Sequence, residues 1–327
     1  MRPPLAAALS LALFLVVSLS GARGAEPFFK KGDVIALVGG EDMVVASEYG
    51  FLELLLVRAL PDYRLRFRNL AWEGDTVFEQ RRDLNFPTWE EQLDQIGATV
   101  VIAQFGQMES FAGKEKLPEF IAAYEKLIER FTGSGKRRVV VASPSRFDDS
   151  YQSLLPSANR LYNPDPEMMR ARQKVLEDYV EATRRFAQTK QCTFVDLTFS
   201  GIVDGCIHRD GVHLLEYAHA NAADNFCASL SKGLDVAVKK LPPEIFQPDY
   251  PIRQLIIAKN RLWFDYWRPQ NWAFLAGDRT AQPSSRDHLD PSKRWFPPER
   301  EAFLPLIEAK EKEIDALAQS LASAEKK

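Results

Sequence analysis

Five short apolar runs, separated by longer segments with helical spacing, constrain this chain most. They span residues 33–38, 64–70, 99–105, 138–143 and 192–197. Runs of this length, bounded by glycine, proline or polar residues, read as strands. Between them, residues 48–60, 117–131, 165–189 and 213–241 place apolar side chains at helical intervals. Pro61, the Gly133–Gly135 stretch and Pro242-Pro243 stop three of these segments. Strand and helix in alternation predict an α/β fold: a three-layer α/β/α, doubly wound, five-stranded, mainly parallel sheet. Residues 64–70 alternate charged and apolar side chains, which suits a strand nearer the sheet edge.

In such a sheet the ligand site lies beyond the carboxyl ends of the strands. That rule selects four segments: residues 39–42, 71–75, 106–110 and the loop carrying Asp210 and His213. The stretch 203–219 holds His208, His213 and His219, and its Asp-Gly-Val-His run immediately precedes a helical segment. A turn entering a helix can aim a carboxylate and an imidazole at one point, as acid–base chemistry requires. The plain structural reading of such a histidine is capping or packing. Gly39-Gly40 is no dinucleotide fingerprint, and Glu41 and Asp42 would repel phosphate at that helix start.

At 327 residues the chain can bury a full core. Its formal charge of −3 leaves no polyanion footprint, which argues against nucleic-acid partners. Met1-Arg2, an apolar run over 5–19 and small residues over 20–25 read as an export signal cut near Gly24 or Ala25. An uncleaved anchor is the alternative. The expected organisation is therefore a signal over 1–25, an α/β domain over 26–243 and an extension over 244–327. The body is expected in the periplasm or outside the cell. Cys192, Cys206 and Cys227 are an odd set for an oxidising compartment; one disulfide, first guess Cys206–Cys227, and three buried thiols both remain open. No spacing resembles a zinc or haem site, and no cofactor is expected.

The extension differs in character. Residues 252–279 are dense in Trp, Tyr, Phe and Arg, and a charged helix is expected from about Pro305 to Ala322. The aromatics either clamp the extension onto the sheet domain, because exposed Trp on that scale is costly, or form a sugar- or protein-partner surface.

The order of these blocks resembles the SGNH/GDSL hydrolase family of esterases and lipases. The resemblance spans about residues 32–241: strand and Gly turn, then Asn69–Thr76 (NLAWEGDT), then Gly106–Glu109 (GQME), then Asp210–His213 (DGVH). It implies that His213 is the general base, Asp210 its orienting acid, and Gly74 a backbone oxyanion donor. The chain departs from the family at two positions. Glu41 stands where the family carries its nucleophilic serine, and Met108 stands where an asparagine completes the oxyanion hole. A shift of one residue would bring Gln107 there instead, beside Glu109. A carboxylate is a poor acyl nucleophile, and at Glu41 it would favour protonated His213, taking the base out of service. Ser47 is expected past the turn at the helix start, and Ser110 has no base of its own.

Three readings follow. The first is a non-catalytic cleft binding a glycan or ester-bearing envelope polymer. The second is an ester hydrolase with altered machinery, in which Glu41, Asp210 and His213 position a water or hold a divalent metal; the plain alternative for that cluster is a Glu41–His213 salt link. The third is a scaffold binding a protein partner through residues 252–279.

Overall fold

The computed structural model describes residues 27–147, 165–197, 207–208, 210–234 and 243–325. The expected signal segment and Cys206, one half of the first-guess disulfide, lie outside the described residues. Strands β1 (Val34–Gly39), β2 (Arg66–Asn69), β3 (Val100–Gln104), β4 (Arg138–Ala142) and β5 (Thr193–Val195) form one five-stranded sheet of order β2-β1-β3-β4-β5. All four pairings are parallel, so the doubly wound arrangement is the one the alternation predicts. Strand β3, the most strand-like run in sequence, lies at the centre with all its residues buried, and β2 lies at an edge.

Helices follow as α1 (Glu41–Tyr49), α2 (Phe51–Ala59), α3 (Trp89–Gln95), α4 (Gln107–Ser110), α5 (Leu117–Thr132) and α6 (Pro166–Thr189). Beyond the sheet come α7 (Glu216–Leu234), α8 (Pro251–Trp267), α9 (Trp272–Leu275), α10 (Phe296–Glu301) and α11 (Phe303–Ala324). The period-two alternation of the strands sorts the core into two halves. Ile35, Leu37, Val100, Ile102 and Val140 pack toward α1, α2 and α7. Ala36, Val38, Val101, Ala103 and Val141 pack toward α3, α5 and α6.

One expected helix is two. The segment 48–60 joins an earlier turn of helix and breaks at Gly50, whose φ of 71° ends α1 while its N–H bonds the Ala46 carbonyl. A Cβ there would stand 2.9 Å from Ile256 Cγ2, so α8 packs too closely for any side chain. Ser47 consequently sits in the last turn of α1, not at a helix start, and its Oγ accepts from Asn69 Nδ2 at 2.7 Å.

The edge strand explains the aromatic extension. An edge leaves carbonyls unpaired, and α8 covers two of them from positions one turn apart. Lys259 Nζ reaches the Phe67 carbonyl at 3.4 Å and pairs with Glu53 at 2.8 Å. Trp263 Nε1 donates to the Asn69 carbonyl at 2.8 Å. The arginines of β2 meet α11: Arg68 pairs with Glu311 at 2.5 Å and Arg66 with Asp315 at 2.6 Å. Trp263, Tyr266, Trp267 and Trp272 are all buried. Among the described residues, no helix is long and apolar enough to cross a membrane.

Candidate functional site

At the carboxyl end of β1, Gly39 is the residue that permits close strand approach. A Cβ at Gly39 would lie 2.5 Å from the Gln104 carbonyl oxygen of β3. Gly40 then caps α1, and Glu41 and Asp42 occupy its first turn, where the helix dipole favours carboxylates. Glu41, Asp42, Asp75, Gln107, Met108 and Glu109 line one small cleft of about 30 Å³. The first three of the expected loops therefore converge there.

The fourth loop supplies Asp210 and His213. His213 Nδ1 lies 2.7 Å from Asp210 Oδ2, and the Val212 and His213 amides donate to Asp210 Oδ1 at 2.9 and 3.1 Å. Partial burial alone would raise the Asp210 pKa; these hydrogen bonds and the histidine charge outweigh it and hold it at about 2. Burial likewise opposes charge on His213. The Asp210 hydrogen bond and charge, then the charges of Glu41 and Asp42, overcome it and raise the imidazole above its ordinary value. His208 Nδ1 approaches the same Asp210 oxygen at 3.0 Å, so a histidine with no assignable partner in sequence has one.

The other expected site residues are placed as follows. Gln107 is not free to stabilise an oxyanion: its Nε2 donates to the Ser145 carbonyl at 3.2 Å and the Val212 carbonyl at 3.3 Å. An amide nitrogen has two protons, and both are spent tying the β3, β4 and histidine loops together. Met108 is 48% exposed and offers no donor. Glu109 is buried and accepts from the Val77 and Gly106 amides at 2.7 and 2.8 Å, fastening the second loop to the third; burial raises its pKa. Gly74 is exposed, with a φ of 79°, in a turn closed by the Asp75 amide on the Trp72 carbonyl at 3.0 Å. Ser110 Oγ donates to the Gln107 carbonyl at 2.6 Å.

Glu41 makes no ion pair with His213 among the described residues; its effect on the ring is that of a nearby charge. Nor do Glu41, Asp210 and His213 gather as metal ligands. Among the described residues, no group of three or more His, Cys, Asp or Glu side chains is placed to hold a metal ion. Asp210 spends both oxygens on its own loop, which leaves little to share with Glu41.

Sequence reasoning passed over Ser145 and read Asp42 only as a charge at a helix start. Asp42 lies beside the buried Ser145 side chain, and burial pushes its pKa up to about 6 against the pull of Ser145 and His213. Both line a second, mainly apolar hollow of about 40 Å³ with Gln104, Phe51, Phe226 and His219. His219 is buried and packs against Tyr49, and burial lowers its pKa to about 4. The carboxyl-end rule, applied to β4 as well, selects residues 143–145 and would have found Ser145.

No family model matches the chain, and no curated protein matches it by sequence. Solved structures do resemble it in fold. A gut microbial diltiazem-metabolizing enzyme is 18% identical with a TM-score of 0.48, over 62% of this chain; this chain spans about half of that one, 47%. A lipolytic protein of the G-D-S-L family from Veillonella parvula is 13% identical with a TM-score of 0.41, over 60% of this chain and 97% of that one. An extracellular lipase from Streptomyces rimosus is 13% identical with a TM-score of 0.41, over 59% of this chain and 99% of that one. The likeness to these proteins is one of fold, and the chemistry of the cleft rests on this chain's own side chains.

Proposed function

We propose that this is an SGNH/GDSL-hydrolase-like protein whose carboxyl-end cleft binds its ligand without hydrolysing it. One observation carries the reading. Among the described residues the His213 ring hydrogen-bonds only Asp210, and no hydroxyl reaches it. The Asp210 hydrogen bond and the neighbouring carboxylate charges raise the His213 imidazole above its ordinary value against the opposing effect of burial. With Glu41 at the turn and the Gln107 amide spent, neither a nucleophile nor a side-chain oxyanion donor stands beside the ring.

The acids that line the cleft at the start of α1, Glu41 and Asp42, repel anions and accept hydroxyl protons. That chemistry suits a glycan or an ester-bearing polymer of the cell envelope, met after export. The expected outcome is that the purified protein hydrolyses p-nitrophenyl acetate no faster than its His213→Ala variant. A rate that disappears on this substitution rejects the binding reading.

A second reading rests on a separate observation, the placing of Asp42 beside Ser145. A carboxyl poised near neutrality beside a hydroxyl is a rudimentary base–nucleophile pair. Hydrolysis lost in Ser145→Ala but retained in His213→Ala would select it.

A further inference from the structure

The helix that carries Glu41 and Asp42 has a second face. Asp42, Met43 and Ala46 line the hollow behind the cleft, whereas Val44, Ser47 and Glu48 line a separate cavity of about 190 Å³ under α8. Its apolar wall comes from Ile257, Phe264 and two indoles, Trp263 and Trp267, stacked at 5.3 Å and 11°. A second hollow of about 250 Å³ adjoins it, sharing Arg261, Phe264 and Arg268 and adding Gln270, Asn271 and Glu299. Pockets that combine aromatic walls with a few placed polar groups are the usual form of small-molecule sites.

The polar groups of the cavity have capacity left. Asn260 Nδ2 donates to the Ser47 carbonyl at 2.9 Å, while its Oδ1 has no partner among the described residues. Ser47 Oγ accepts from Asn69, which leaves its own proton to donate. Glu48 makes no hydrogen bond or ion pair among the described residues, and burial with the charges of Glu73 and Glu41 raises its pKa.

The cations at the mouth are already committed. Arg261 pairs with Asp265 at 3.0 Å, and Arg268 pairs with Glu73 at 2.6 Å while lying 4.0 Å from the Trp72 ring centre. An anionic ligand in the cavity between α1 and α8 therefore meets Glu48 beside cations that already have carboxylate partners, while Arg268 Nη1, which has no hydrogen-bond partner among the described residues, is left to donate to a ligand oxygen. A purely apolar one would leave Asn260, Ser47 and Glu48 desolvated without partners, which costs binding energy. A neutral ring with C–H faces and hydroxyl edges meets both requirements.

We infer that this pair of hollows is an oligosaccharide site, with one neutral sugar ring in the cavity between α1 and α8 and the next ring in the adjoining hollow. The inference shares a ligand class with the reading of the His213 cleft but not its location. It stands whether or not that cleft hydrolyses esters.

The test uses the full chain, titrated with cellobiose, N,N′-diacetylchitobiose and methyl β-glucoside, and followed by indole fluorescence and ligand-observed NMR. At least one disaccharide is expected to bind, and more tightly than the methyl glucoside. Ile257→Trp, which fills the cavity, and Glu48→Ala, an exposed change, are each expected to weaken binding at least about tenfold, a difference near 1.4 kcal/mol. Thermal unfolding of both variants confirms that they fold, and Glu48→Ala carries the test if Ile257→Trp does not. Absence of binding by all three sugars overturns the inference. So does binding that survives Ile257→Trp and Glu48→Ala, which would return the glycan to the carboxyl-end cleft.

Discussion

The charges at the β2 edge and those at the strand ends use the same side-chain types to opposite effect. At the edge, Lys259 and Glu53 are buried to 0% and 7% side-chain exposure, and Glu311 is nearly as deep. At the strand ends, Asp210, His208 and His213 remain 38–51% exposed while hydrogen-bonded to one another. Burial drives the Lys259 pKa down and the Glu53 pKa up, each opposed by the partner's charge. The edge pair is therefore tolerable only as a pair. The cleft pair can lose or gain a proton while water compensates. One set of charges fixes where α8 lies; the other is left able to answer a ligand or a change of pH.

Breaking the edge should have the largest effect. Lys259→Ala leaves Glu53 charged, buried and alone, and is expected to cost about 3–5 kcal/mol in urea unfolding. The double change Lys259→Met with Glu53→Leu should recover most of that loss, because desolvation of both charges is then avoided. A single-variant loss below about 1 kcal/mol, the range of surface pairs, would erase the contrast between the two regions.

A smaller effect is expected on the cleft side from Gly39→Ala. The new Cβ would press on the Gln104 carbonyl, a backbone atom that cannot rotate away, from a φ of 153°. Strain of that kind costs about 1–3 kcal/mol. The β1–β3 approach also sets the position of Glu41, so amide shifts should spread into residues 104–109. A variant as stable as the parent, with those shifts unchanged, would mean that the turn does not depend on this close approach.

The sheet was legible in sequence because its strands are buried on both faces and its helices carry one apolar face; both leave periodic traces. The edge was partly legible too, since only residues 64–70 alternate charge with apolar side chains. The break at Gly50 was not, because it answers to Ile256 more than two hundred residues away. The same holds at the site. Asp210 and His213 are close in sequence and pair through their own turn, which a short motif can encode. The commitment of Gln107 to the Ser145 and Val212 carbonyls joins three loops and has no local signature. Asp42 was visible but read only as a charge at a helix start; its burial against Ser145 is a tertiary fact.

The smallest effect, and the one that most sharpens the contrast, comes from Asp210→Asn. His213 is raised above its ordinary 6.5, so its share of stability is fully present below that value and fades as pH rises through the folded-state pKa. Asp210 is lowered from 3.8 to about 2, so its share is present above 3.8 and fades as pH falls through about 2. The pair therefore stabilises most between these limits. Because both groups are well exposed, solvent screening holds the gain to about 1 kcal/mol or less. Asp210→Asn should flatten both limbs of the melting temperature against pH and move the His213 titration, followed by NMR, to lower pH. His219, held at about 4 by burial alone, should not move with it and serves as the internal reference. If His213 titrates at or below 6.5 in the parent, or does not move in Asp210→Asn, the Asp210 carboxylate does not hold the imidazole, and the contrast with the edge pair loses its pH-sensitive half.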